Sequence, residues 1–546
     1  METKTKAGMA AAVLLAALTV GAAPAPTAPK SDVTVRFDLK MPTFRDLSES
    51  SAFPTLGYAG CIADEGDRYF DEFFVNSPDR TWEAFKGAGA RLVKEWGADG
   101  HWDENDPEHR WAKITYSWRK KHGVKVLLCI ENGGRTINDA RRRILGFVQW
   151  IVDNGFKDQV AGFELGNEPY WGSAPEQFAA RWAAIVPDIK KIWPEAQIGF
   201  AIAEYRAGDP DIESVRKRLS TVDEWFNFGG GEWGMSKLNQ WSGRFINAFS
   251  NCLQHCSHVV YHFYGGFGPY GCTYNGIQRV RNFARAFPEV KDKKVWITEW
   301  RYTADDDLRY QQSFSFAMFD ALYMMMCICQ PEIDGLSAHQ CGWLSGGFYI
   351  ADGRGDWCQR RERETDRMFV DPDWTGRPRL EVGPVGPVFK LLNEAILTHP
   401  HVLARGRRHE GTISDDNYWS SRCYVDSSSK IGGWIQGGGD LAMRPPDGGV
   451  LEWILLANEE RTSVSLVVAN AGIQTWKPPF ETIGCTVGKS KVRLYRCRPE
   501  HEILHQVPGE PRLSWEEECE GETGRIEVPG LSVATLTFPV SKGGAR

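Results

Sequence analysis

Ala161-Gly162-Phe163-Glu164-Leu165-Gly166-Asn167-Glu168-Pro169-Tyr170-Trp171 begins as a short apolar run and ends in a polar stop. The apolar part reads as a buried strand, and Pro169 cannot continue a central ladder. Pro175 and Glu176 then open a helix with residues suited to its first turn. A carboxylate at the carboxyl end of a buried strand, followed by a helix, is where α/β enzymes place their chemistry.

Outward from this stretch the same unit repeats. Short apolar strands are predicted near Thr55–Cys61, Arg91–Trp96, Lys125–Glu131, Val160–Glu168, Gln197–Glu204, His258–Tyr264, Lys294–Arg301 and Ile333–Cys341. Amphipathic segments lie between them, clearest at Ile137–Asn154, Pro175–Trp193, Tyr310–Cys329 and Val385–Thr398. Strands alternating with helices imply a parallel sheet, and eight units imply a closed (β/α)8 barrel of the TIM type, with an open doubly wound sheet as the alternative. The barrel is expected over residues 51–400. The long stretches Tyr205–Lys237 and Gly342–Pro384 follow the fifth and eighth strands and so belong at the carboxyl face.

Beyond Pro400 the helical periodicity stops. Alternating runs at Leu451–Ala457, Ser463–Val468, Lys491–Tyr495 and Ser532–Phe538 predict an antiparallel β-sandwich over residues 401–546. Residues 26–50 are read as a tether and a strand, Val33–Leu39, that joins this sandwich. Residues 1–25 read as a secretory signal peptide: Lys4 and Lys6, an apolar run from Ala7 to Val20, and small residues at Gly21-Ala22-Ala23. The mature chain is accordingly expected to be exported, to the periplasm or outside the cell, and not inserted in a membrane.

The formal net charge of −7 over 546 residues argues against nucleic acid as a partner. The 22 Trp residues could supply flat rings for stacking on sugar faces, although most must be core. The 13 Cys are an odd number, so at least one thiol is unpaired. Cys252, His255, Cys256 and His258 could be drawn as a zinc cluster, but they lack a second separated ligand pair. Neither a metal nor another cofactor is expected.

Asn167-Glu168-Pro169 at a fourth strand resembles the signature of retaining glycoside hydrolases of clan A. A barrel joined to a sandwich made from both chain ends is similar to the arabinofuranosidase, β-xylosidase/α-iduronidase and β-glucuronidase families of that clan. The resemblance implies that Glu168 is the general acid/base and that Asn167 binds the sugar 2-hydroxyl. It also places the nucleophile at the end of the seventh strand, Lys294-Val295-Trp296-Ile297-Thr298-Glu299-Trp300-Arg301, at Glu299. Simple alternation puts Ile297, Glu299 and Arg301 on one side of that strand. His262 and Tyr264 resemble the clan's sixth-strand contacts to sugar and nucleophile.

Further candidates for binding sugar are Glu95 and Trp96 at the second strand end, Trp300 and Arg301 beside Glu299, and Trp343 as a stacking platform. Glu131, Asn132, Glu204 and Tyr205 are strand ends that could do the same or merely anchor loops. Glu164 lies deeper than Glu168 and reads as a structural carboxylate paired inside the barrel. Arg301, Arg135 and Arg206 would suit an acidic sugar, or Arg301 a salt bridge to a barrel Glu.

The expectation is a glycosidase that holds carbohydrate between two carboxylates and cleaves it by double displacement. A barrel that binds glycans without cutting them and a transglycosylase remain the alternatives. The sugar, the linkage and the oligomeric state are not legible.

Overall fold

A computed structural model describes residues 34–50, 57–59, 78–87, 91–95, 107–131, 136–203, 235–264, 287–301, 314–338, 349–352, 379–409, 425–426, 440–441, 450–472, 475–498, 511–523 and 525–542, and singly 75, 89, 102, 284 and 501.

In chain order the first strands are β1 (Val35–Asp38), β2 (Arg45–Asp46), β3 (Gly57–Ala59), β4 (Leu92–Glu95), β5 (Lys125–Ile130), β6 (Val160–Leu165), β7 (Ile198–Ala201), β8 (His258–Tyr264), β9 (Lys294–Arg301) and β10 (Ile333–Ala338). Strands β3 to β10 pair in parallel, each with its neighbour in sequence, and β10 closes on β3. This is the eight-stranded barrel expected from the alternating pattern. β6 is its fourth strand and β9 its seventh.

The helices sit outside and bury their apolar stripes against the barrel. Ile137–Asp153 is capped by the Thr136 side chain, which accepts from the Asp139 backbone N–H, and it buries Ile144, Phe147, Val148 and Ile151. The single helix expected over Pro175–Trp193 is instead two, Pro175–Ala183 and Val186–Ile192. Pro187 explains the break, because it lacks an N–H and its ring cannot follow an unbroken helical turn, whereas it fits the start of a new one.

Inside the barrel the side chains form tiers. The lower tier is apolar and consists of Leu92, Leu127, Ala161, Ala201, Val260 and Trp296. Trp296 spans the lumen because Gly162 and Gly199 face it: a Cβ at Gly162 would lie 2.2 Å from its ring, and one at Gly199 2.8 Å. Two residues further along the strands, the inward positions turn polar.

After the helix Val385–Thr398 the chain passes into strand His401–His409 and an eight-stranded antiparallel sheet. Its central strands, Val450–Ala457, Ser463–Asn470 and Ser532–Lys542, are buried on both faces. Ile454, Leu456, Val467 and Val533 join the barrel's outer core, while Leu451, Trp453, Leu455, Leu466 and Leu536 form a second core with Val35 and Phe37. The covering layer is β1 paired with Phe480–Ile483. That pairing is parallel rather than antiparallel, which the sequence separation of 445 between Arg36 and Glu481 permits without a hairpin.

β2 adds to the edge of the large sheet through His401 and Val402. From it the buried Arg45 guanidinium donates to the carbonyls of Cys327 and Ile328 (3.1 and 2.9 Å) and to those of Gln330 and Ile333. Cys327 and Ile328 close helix Phe314–Ile328, whose last carbonyls have no partner within the helix. One side chain thus fastens the sheet domain to the barrel. Among the described residues no helix is long and apolar enough to cross a membrane.

Candidate active site

The polar tier lies at the carboxyl ends of the barrel strands. Lys94 follows the inward Leu92 by two residues, Cys129 follows Leu127 and His262 follows Val260, as strand alternation requires, whereas on the fourth strand Ala161 is an extra residue in the ladder and Glu164 keeps count from Gly162. The seventh strand does not obey this count. Tyr261 pairs with Ile297, but His262 pairs with Glu299, so Thr298 is an extra residue in the ladder. The bulge lets Thr298 and Glu299 both reach His262, while Ile297 packs in the outer core. Simple alternation, which put Ile297 and Glu299 on one side, is therefore wrong at this point.

Glu168 is presented differently. β6 ends at Leu165, and the chain turns through Gly166 at φ 72° and Glu168 itself at φ 43°, ψ 50°. A left-handed conformation is uncommon for a glutamate and costs on the order of 1 kcal/mol. Gly166 is needed for more than its φ, since a Cβ there would meet the Phe178 ring at 2.9 Å. The turn lifts Glu168 above the tier, where its side chain is 27% exposed, whereas Glu299 below is 3% exposed.

His262 joins the two carboxylates. Its Nδ1 lies 3.0 Å from Glu168 Oε1 and 3.2 Å from Glu299 Oε2. One ligand atom from each of the three residues lies within 4.8 Å of the other two. The three groups are close enough to share a cation, and a hydrogen on Nδ1 would lie between the carboxylates. The Tyr170 hydroxyl donates to Glu168 Oε1 at 3.1 Å.

Lys94 is the residue sequence reading missed. Fully buried, its ammonium donates to Glu299 Oε1 (2.8 Å) and Asn167 Oδ1 (2.9 Å) and forms an ion pair with Glu164 Oε1 (3.1 Å). The signal was present: β4 buries Leu92 inward, and period two selects Lys94, not Glu95, as the next inward side chain. Asn167 is held through its oxygen, and its NH2 group has no hydrogen-bond partner among the described residues. Its backbone N–H donates to Glu131 at 3.3 Å.

Electrostatics follow from this packing. Burial lowers the proton affinity of His262, but the charge of Glu299 and the hydrogen bonds that Glu164 and Glu168 accept outweigh it, so its pKa is raised to about 9. Burial pushes the Glu168 carboxyl up, but its hydrogen bond to and attraction by His262, with help from Tyr170, hold it below the usual range. Burial likewise opposes charge on Lys94, yet Glu164 and Glu299 raise its pKa. The Cys129 thiol beside them is pushed far up by burial and stays neutral.

The structure thus gathers Glu168, Glu299, Asn167 and His262, and adds Lys94 and Glu164. Two other candidates point elsewhere. Glu95 forms a buried ion pair with Arg119 of helix Arg110–His122, behind the strand. Trp300 is fully buried against Tyr323 and Phe389 of the outer helices, with centroids 4.7 and 6.2 Å away. Both occupy the parity opposite to the inward tier. Trp96, Trp343, Asn132, Arg135, Glu204, Tyr205 and Arg206 lie outside the described residues, as do the side chains of Tyr264 and Arg301. The suggested zinc cluster is not assembled: the Cys256 thiol donates to the Cys252 carbonyl, and His258 is bonded to Asp334.

No family model and no curated protein matches the chain by sequence. Solved structures do match it. An α-L-arabinofuranosidase from Thermotoga maritima, determined as an arabinose complex, superposes with a TM-score of 0.56 at 11% identity, over 92% of this chain and 99% of that one. A family 51 α-L-arabinofuranosidase, AbfB, from Bifidobacterium longum gives 0.52 at 12% identity, over 96% and 98%. A glucosidase from Croceicoccus marinus gives 0.50 at 12% identity, over 93% and 99%. The likeness runs through both domains. The chain has the fold of clan A glycoside hydrolases, a parallel (β/α)8 barrel carrying an antiparallel β-domain.

Proposed function

We propose that the protein is an exported glycoside hydrolase that cleaves its substrate with retention of configuration. The observation that carries the reading is the Glu168–His262–Glu299 bridge, with two carboxylates from the fourth and seventh strands within 4.8 Å of a shared imidazole. A separation near 5 Å suits direct attack by one carboxylate, whereas inversion needs a gap wide enough for water.

In this reading Glu299 attacks C1 and Glu168 protonates the leaving oxygen. The resulting glycosyl-enzyme is opened by water that Glu168, now ionised, activates. Lys94 favours Glu299 as the carboxylate and turns the Asn167 NH2 group toward the sugar 2-hydroxyl. The transferable proton rests on the His262–Glu168 pair and reaches Glu168 across the 3.0 Å contact. The pair, not Glu168 alone, then sets the basic limb of activity. Aryl pentosides are the first substrates to try, given the arabinofuranosidases that share the fold. A glycan-binding protein would not need a charged nucleophile or a shared proton.

The test is azide rescue. Glu168→Ala should form glycosyl-enzyme from an activated aryl glycoside and then stall, and azide should restore turnover as a glycosyl azide of the substrate's own anomeric configuration. Absence of both intermediate and rescue would reject the acid/base role.

A further inference from the structure

Glu164 is a third carboxylate in the tier, fully buried and too deep to touch a sugar. Three groups meet at His262 Nε2: Lys94 Nζ at 3.1 Å, Thr298 Oγ1 at 3.1 Å and Glu164 Oε1 at 3.3 Å. Their demands conflict. An ammonium has only donors and asks for a lone pair on Nε2, whereas a carboxylate has only acceptors and asks for an N–H.

Counting hydrogens resolves the conflict. Lys94 donates to Asn167 and Glu299, and its third ammonium hydrogen has two claimants at 3.1 Å, the ion-paired Glu164 Oε1 and His262 Nε2. Directed at the carboxylate, that third hydrogen leaves Nε2 to carry its own hydrogen toward Glu164 and Thr298. Glu164 Oε2 is buried with no hydrogen-bond partner among the described residues, so the carboxylate works through Oε1 alone, the oxygen facing both Lys94 and His262.

We propose that Glu164 is a positioning residue that keeps His262 doubly protonated, so that Nδ1–H stays between Glu168 and Glu299. Without its charge, Lys94 would drive Nε2 to the unprotonated form. Among the described residues, the charged and titratable groups around the imidazole are Lys94 of β4, Cys129 of β5, Glu164 and Glu168 of β6 and its following turn, and Glu299 of β9. Of these only Glu164 faces the Nε2 side with a negative charge, which makes it the control point. The kinetic consequence rests on the glycosidase reading, while the protonation state does not.

The test is nitrogen NMR of 15N-histidine protein, with the His262 signals assigned by their loss in His262→Asn. Wild-type His262 should give imidazolium shifts at pH 7. In Glu164→Gln, which keeps shape but removes charge, its titration should fall by about one to three units. The basic limb of kcat/KM should fall by the same amount with KM little changed. A neutral His262 in the wild type at pH 7 would overturn the proposal even if the variant failed to fold, as would a Glu164→Gln titration identical to wild type. A charged His262 in a protein inactive on every glycoside would support this proposal and remove the hydrolase reading.

Discussion

His258 and His262 stand on the same strand, four residues apart and on the same inward side, and their environments drive them in opposite directions. His258, near the amino-terminal end of β8, stacks on Trp296 at 3.8 Å and has one carboxylate partner, Asp334, at 2.9 Å. Burial dominates there and lowers its pKa, so it is neutral. His262, at the carboxyl end, faces three carboxylates, and its pKa is raised to about 9. Both are buried, so burial does not separate them. The number of anions within contact does, and that number follows from which end of the barrel the residue occupies. On the proposed reading, one histidine serves stability and the other holds a proton for chemistry.

The sharpest break between the two ends comes from substitution. Glu299→Ala should abolish activity on every substrate, with thermal stability little reduced, because its loss relieves crowding among three carboxylates. Activity surviving on activated aryl glycosides would contradict its role as nucleophile. His258→Gln should do the reverse. It should leave kcat/KM within about twofold of wild type and cost about 1–3 kcal/mol in urea unfolding, because Asp334 loses a buried partner. A catalytic defect there would erase the distinction between the ends.

Lys94→Met should cost about 3–5 kcal/mol, since it leaves Glu164 and Glu299 buried without their cation. It should also lower activity, and only this variant is expected to do both strongly. If Lys94→Met were as stable as wild type, the tier would not be held by charge.

The smallest effect is in pH. The raised pKa of His262 contributes stability that is fully present below its ordinary value of 6.5 and lost as pH rises through about 9. The lowered pKa of His258 acts oppositely, because the unfolded chain takes up the proton first, and stability falls as pH drops below 6.5. Urea midpoints across pH 5–10 should show both slopes. Glu164→Gln should weaken the alkaline slope, and His258→Gln the acid one.

Much of this was legible in the sequence for one reason: barrel strands and helices differ in hydrophobic period, so eight units could be counted before any contact was known. Glu168 and Glu299 could be singled out because one closely follows the fourth strand and the other lies near the end of the seventh. Glu95 and Trp300 were misplaced because proximity to a strand end was weighed without parity, and parity sends both outward. Lys94 was overlooked by the same omission. The bulge at Thr298 could not have been read, since an extra residue in a ladder leaves no mark on an apolar pattern. Arg45 was equally hidden, as its partners are backbone carbonyls some 280 residues away.

The most direct test of the central claim is the anomeric configuration of the first product, followed by proton NMR in the opening minutes of hydrolysis. Two carboxylates bridged by one imidazole predict retention at C1. An inverted anomer would require water between the carboxylates, and the assignment of Glu299 as nucleophile would have to be withdrawn.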